Sequence, residues 1–138
     1  MQVFLPYKDV YKTARCLDKK RLHKQIIECK QILFALDGTS KGWRNHPVTK
    51  MYENHKEFLV LYMNCLNFFR QGLFVQAKEV SKMCAECLPS FVNDEYCDNF
   101  KRRLYTKDPN YYLVFEEFGT SHINMYFVNN EWKIYNQH

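Results

Sequence analysis

The sequence predicts a mainly α, compact single-domain fold over residues 1–138, with a short extended N-terminus and an aromatic C-terminal hairpin or coil. Three observations lead there. Apolar residues recur at three- and four-residue spacing from Leu22 to Leu88, the period of helices with one buried face. Pro6, Gly38, Pro47, Gly72 and Pro89 fall between those periodic stretches rather than inside them. Alternation of period two is confined to Ile123–Tyr135. A chain of 138 residues has room for one core and too little for a second.

Met1 to Pro6 should be extended, because Pro6 stops any helix before it, and Lys8-Asp9 then opens a first helical stretch. Asp18 is a natural N-cap for a long helix from about Lys19 to Leu36, with Leu22, Ile26, Cys29, Leu33 and Leu36 inward and Gly38 as its stop. Residues 38–47 form a turn-rich loop. From Val48 the series Met51, Tyr52, His55, Leu59, Tyr62, Leu66, Phe69 and Leu73 predicts one long amphipathic helix ending near Gly72. A shorter helix from about Val75 to Leu88 stops before Pro89. An irregular acidic stretch follows, then a basic segment, Phe100–Lys107, closed by Asp108-Pro109. Ile123–Val128 and Glu131–Tyr135 read as strands around a tight turn at Asn129-Asn130, with an aromatic coil as the alternative.

The 46% hydrophobic and 25% charged residues are those of an ordinary globular protein, and the 17% aromatic content leaves Tyr and Phe available beyond the core. Twenty Lys and Arg against fifteen Asp and Glu give a net charge of +5, a mild excess that suits an anionic partner. No apolar run could span a bilayer and no signal-peptide order opens the chain, so a cytoplasmic protein with no membrane partner is expected. The six cysteines lie in periodic apolar segments as structural thiols would. Cys84 and Cys87 make a C-x-x-C pair, but no partners complete a zinc tetrad, so no metal is expected. No cofactor is expected either.

Two constellations could carry chemistry. At 100° per residue, Arg21, Gln25 and Glu28 share a strip beside the core stripe of the long helix, with Lys24 just outside it. Arg21 and Lys24 could hold phosphates around the Glu28 carboxylate, and a solvated Lys24–Glu28 pair is the plain alternative. In the loop, Trp43, Arg44, Asn45 and His46 offer a stacking ring, a bidentate donor, an amide and an imidazole, which are nucleotide-reading groups. The alternative is a Trp43 that seals the core and a His46 that caps the next helix. Lys101, Arg102, Arg103 and Lys107 read more naturally as a solvated face than as a phosphate site. Most of Tyr111, Tyr112, Phe115 and Phe118 should be packing.

Met1-Gln-Val-Phe-Leu-Pro6, Leu17-Asp-Lys-Lys-Arg-Leu-His-Lys-Gln25 with Glu28, and Gly42-Trp-Arg-Asn-His-Pro47 together resemble the endonuclease V type of pyrimidine-dimer DNA glycosylases. His46–Phe74 resembles that family's long helix and Leu104–Tyr112 its later turn. The resemblance implies a nucleophilic N-terminal amine that attacks a sugar carbon to form an imine, with Glu28 as the assisting glutamate. Residue 2 departs from the pattern. It is Gln, whose bulk retains Met1, where the family's catalytic chain begins with a small Thr.

The pattern also looks like phage proteins of the same fold group that sequester cyclic dinucleotides of the CBASS antiviral system. The leading expectation is therefore a non-catalytic viral sponge. Arg21, Lys24, Gln25, Glu28, Trp43, Arg44, Asn45 and His46 would bind a cyclic dinucleotide or other small nucleotide, and the chain would be a homo-oligomer such as a tetramer. The alternative is a pyrimidine-dimer DNA glycosylase/AP lyase acting on DNA through the Met1 amine and Glu28. A plain DNA-binding module is the third.

Overall fold

The structure, a computed structural model, describes residues 1–136. It is mainly helical: α1 Val10–Cys16, α2 Lys19–Leu36, α3 Pro47–Met51, α4 Lys56–Arg70, α5 Phe74–Glu86, α6 Asp94–Lys107, a 3-10 helix Leu113–Phe118, then β1 Ile123–Val128 and β2 Glu131–Asn136. Asp9 caps α1 by accepting from the Lys12 amide at 2.9 Å, and Asn93 caps α6 by accepting from the Tyr96 amide at 2.9 Å. On α2 the buried stripe is Leu22, Gln25, Ile26, Cys29, Ile32 and Ala35, while Leu33 and Leu36 are only half-buried. Gly38, at φ +84°, ends the helix in the left-handed region where a side chain would be strained. The tail is a hairpin. Val128 pairs with Glu131, and Asn129 and Asn130 carry φ of 55° and 61°, the signs of a type I′ turn.

The expected single helix from Val48 to Gly72 is two helices separated by a turn at residues 52–55. Tertiary contacts override the apolar period there. Tyr52 is fully buried, its hydroxyl 3.3 Å from that of Tyr96 on α6. Its ring and that of His55 each lie 5.3 Å from Phe91. Ending α3 at this anchor lets α4 turn onto α2 and α5.

The acidic stretch is not irregular throughout: Asp94 and Glu95 form the first turn of α6, where carboxylates complement the helix dipole, and Lys107 lies in its last turn. α6 then carries the basic segment past the N-terminus of the chain. Buried residues from Val3 to Tyr126 form one continuous cluster, so the first residues are interior rather than a trailing end. No helix among the described residues is long and apolar enough to cross a membrane.

Candidate functional site

One side chain holds the N-terminal segment in place. Gln25 is 1% exposed. Its Oε1 accepts from the Phe4 amide at 2.8 Å and the Tyr62 hydroxyl at 3.0 Å, while its Nε2 donates to the Gln2 carbonyl at 2.8 Å and the Glu28 carboxylate at 3.1 Å. Both N–H donors are used, and Oε1 takes the Phe4 amide and shares the single Tyr62 proton with the Phe4 carbonyl, so this buried carboxamide is committed to the protein rather than to a ligand. Gln25 therefore lies behind the site and orients Glu28. On the other edge, β1 contributes Asn124, which accepts from Gln2 Nε2 at 3.0 Å, and Tyr126, whose hydroxyl donates to the Met1 carbonyl at 3.2 Å.

Met1 is thereby placed in a cleft of about 170 Å³ that it lines with Lys20, Arg21, Lys24, Glu28, Arg103 and Lys107. One carboxylate and one amine thus share a small space with five cations. Burial lowers the pKa of the Met1 amine below 8.0; Glu28 opposes the shift, and Arg103, Lys24 and Lys107 reinforce it. Burial also lowers Lys107, with Arg103, Arg21 and Lys24 adding to the effect. The concentration of positive charge suits a phosphate, and a free amine beside a carboxylate suits attack on an electrophilic carbon.

Arg21 is fixed from behind. Its guanidinium lies 3.2 Å from the Asp18 carboxylate and 5.8 Å from the centre of the Tyr112 ring. Asp18 begins α2 without a side-chain cap, because its carboxylate is taken by Arg21 and the Tyr112 hydroxyl. Burial opposes its ionisation, yet those two partners outweigh the penalty and hold the carboxyl below its usual range.

The basic segment of α6 divides its cations. Arg102 donates to the Phe118 carbonyl at 3.1 Å, Lys101 pairs with Asp98 at 3.2 Å, and Arg103 and Lys107, one turn apart, face Met1. Arg103 is only 3% exposed, so the expected solvated face is corrected at that residue. One signal pointed to it: Phe100, Arg103, Leu104 and Lys107 are spaced three, four and seven apart, which puts Arg103 in the apolar phase.

The loop is only partly joined to this cleft. Trp43 lies edge-on to His46 at 5.2 Å, and His46 to Tyr126 at 5.7 Å, so this chain of rings ends on the residue that holds Met1. His46 caps α3, its Nδ1 accepting from the Val48 amide at 3.1 Å. Burial and the nearby Met1 ammonium hold its pKa below 6.5. Arg44 turns the other way and lines a separate cavity of about 440 Å³ with Asp37, Gly38, Thr49, Lys50, Glu53 and Lys56. Asn45 is exposed. Arg21, Lys24 and Glu28 thus meet Met1 in one cleft, whereas Trp43, Arg44, Asn45 and His46 are all absent from its lining; Trp43 and His46 reach only as far as Tyr126, which bonds the Met1 carbonyl.

Residues 1–67 match the family model of pyrimidine dimer DNA glycosylase. That is just under half of the chain, and it contains Met1, Arg21, Lys24, Gln25, Glu28 and the loop, whereas Arg103, Lys107 and Tyr126 fall outside it. No curated protein and no solved structure matches the chain.

Proposed function

We propose that this chain is a DNA glycosylase/AP lyase acting on damaged pyrimidine nucleotides, with the Met1 α-amine as nucleophile and Glu28 as proton carrier. The observation that carries this reading is the placement of the amine with its lowered pKa in the same cation-lined cleft as Glu28. The match to the glycosylase family over residues 1–67 agrees with it. The size of the cleft also favours it over capture of a cyclic dinucleotide. About 170 Å³ is well below the roughly 300–1,000 Å³ of sites that enclose a drug-sized ligand. It suits one sugar and phosphate of a longer strand.

In this reading the amine lone pair attacks C1′, and the C1′–N glycosidic bond breaks with its electron pair leaving on the base, which takes a proton from water. Glu28 accepts a proton from the new C1′–N group and returns it to O4′ as the C1′–O4′ bond opens, leaving an iminium. Glu28, a carboxylate again, then takes a proton from C2′, and the electron pair of that C–H bond expels the 3′ phosphate. Arg21, Lys24, Arg103 and Lys107 hold the backbone phosphates through these steps.

The test is borohydride trapping on duplex DNA that carries an abasic site or has been ultraviolet-irradiated. The expected product is a secondary amine that mass spectrometry maps to Met1, with a rate that rises through a pKa below 8.0 as the amine loses its proton. Glu28→Gln should lower the rate by about 10²–10⁴-fold while the DNA still binds. No adduct and no nicking on either substrate would overturn the proposal. Tight binding of a cyclic dinucleotide recovered intact would then establish the sponge reading instead.

A further inference from the structure

A second cleft lies on the far side of Asp18. It measures about 200 Å³ and is lined by Tyr7, Lys12, Arg15, Tyr111 and Tyr112 among others. The two clefts share a wall, because Asp18 binds Arg21 of the first and the Tyr112 hydroxyl of the second. Tyr111 stands at the mouth, 55% exposed, edge-on to Tyr112 at 4.9 Å, its amide donating to the Asp108 carboxylate at 3.1 Å. Leu113 and Val114 beside it are 59% and 73% exposed, so apolar surface is left uncovered next to two cations. The Lys12 ammonium lies 4.5 Å from the centre of the Tyr7 ring. An aromatic ring with open surface, flanked by a lysine and an arginine, is the combination that takes a stacked base and its phosphate. Cys16 also lines this cleft, but burial pushes its thiol up to about 12, which removes it as a nucleophile.

We infer that this cleft is a second nucleotide subsite, in which a nucleotide flanking the reacting one stacks on Tyr111 with its phosphate held by Arg15 and Lys12. The inference rests on the glycosylase reading for the identity of the strand as DNA. It extends that reading from one sugar to a track: a strand would pass from Lys24 and Lys107, over Arg21, to Arg15 and Tyr111.

The experiment is fluorescence anisotropy with a labelled duplex carrying a tetrahydrofuran abasic analogue. That analogue cannot form an imine, so its binding is independent of the amine chemistry. Tyr111→Ala should weaken binding by about 5- to 150-fold, the range that stacking of one base on an aromatic ring carries. Tyr111→Phe should restore it, and Arg15→Ala should lower the slope of log affinity against log salt by about one. Unchanged affinity in a folded Tyr111→Ala protein, or no binding of this duplex by the parent, overturns the subsite. The two readings separate cleanly. Trapping at Met1 without any effect of Tyr111→Ala refutes the subsite alone, and an effect of Tyr111→Ala without trapping refutes the glycosylase alone.

Discussion

Replacing Gln25 with Met tests how the N-terminus is held, because the two side chains are close in length and differ mainly in hydrogen bonding. The change removes three full bonds, and a Tyr62 contact shared with the Phe4 carbonyl, from a side chain that is 1% exposed. Tyr62 keeps its bond to the Phe4 carbonyl at 2.6 Å, so it is not stranded. The Phe4 amide and the Gln2 carbonyl both lose the Gln25 partner, and an unsatisfied buried group costs about 1–3 kcal/mol, giving about 2–6 kcal/mol in all. For a chain of this size each kcal/mol moves the melting temperature by roughly 3–5 °C, so calorimetry should record a fall of about 6–30 °C. Gln25→Glu adds a sign to the test. A carboxylate facing the Gln2 carbonyl and Glu28 has a raised pKa in the folded chain. That variant should therefore be closest to the parent at low pH and lose stability as pH rises. A Gln25→Met protein that melts within about 2 °C of the parent, less than 1 kcal/mol is worth here, would refute the clamp.

Trp43→Ala should weaken binding of the abasic-analogue duplex by about 1–3 kcal/mol. Arg44→Ala should leave binding unchanged, because Arg44 lines the other cavity; equal losses from the two would mean that the loop acts as one unit. Stability should fall as pH drops below 6.5. His46 is held below that value when folded, so the unfolded chain takes up protons first, and protonation removes the Nδ1 lone pair that caps α3. His46→Asn keeps a capping side chain without a titrating one, so melting curves at pH 7.5 and 5.0 should differ less than in the parent; an unchanged difference would refute this role.

The α2 strip was legible because it lies within a single helix, where 100° per residue fixes which side chains are neighbours. The hairpin was legible for a similarly local reason, since Asn129-Asn130 tolerate the positive φ that the turn demands. Arg103 and Lys107 reach Met1 from α6, about a hundred residues away in the chain, and no local period reports such a meeting. Gln25 shows the opposite difficulty. The sequence placed it with Arg21 and Glu28 beside the core stripe, whereas it lies within the buried stripe, because the direction of a carboxamide depends on which backbone runs past it, and here the passing backbone is the N-terminal segment. Arg44 and Trp43 are adjacent in sequence yet part company: Arg44 lines a cavity with Asp37 and Lys50, while Trp43 packs edge-on against His46, and composition alone does not tell such neighbours apart.

The division of the cleft between the two halves of the chain bears on where its reactivity comes from. The amine and Glu28 both belong to residues 1–67, but a carboxylate beside an amine favours the ammonium form, and an ammonium is no nucleophile. Two influences reverse that tendency. One is burial, completed where Tyr126 on β1 closes over the Met1 carbonyl; the other is repulsion by Lys24 on α2 and by Arg103 and Lys107 on α6. Three of these four residues lie beyond residue 67. In the proposed reaction Glu28 can then serve as a proton acceptor without locking the amine into an ion pair, because cations on the other side of the cleft offset its attraction. The residues that would do the chemistry therefore depend for their reactivity on α6 and β1 being packed against them.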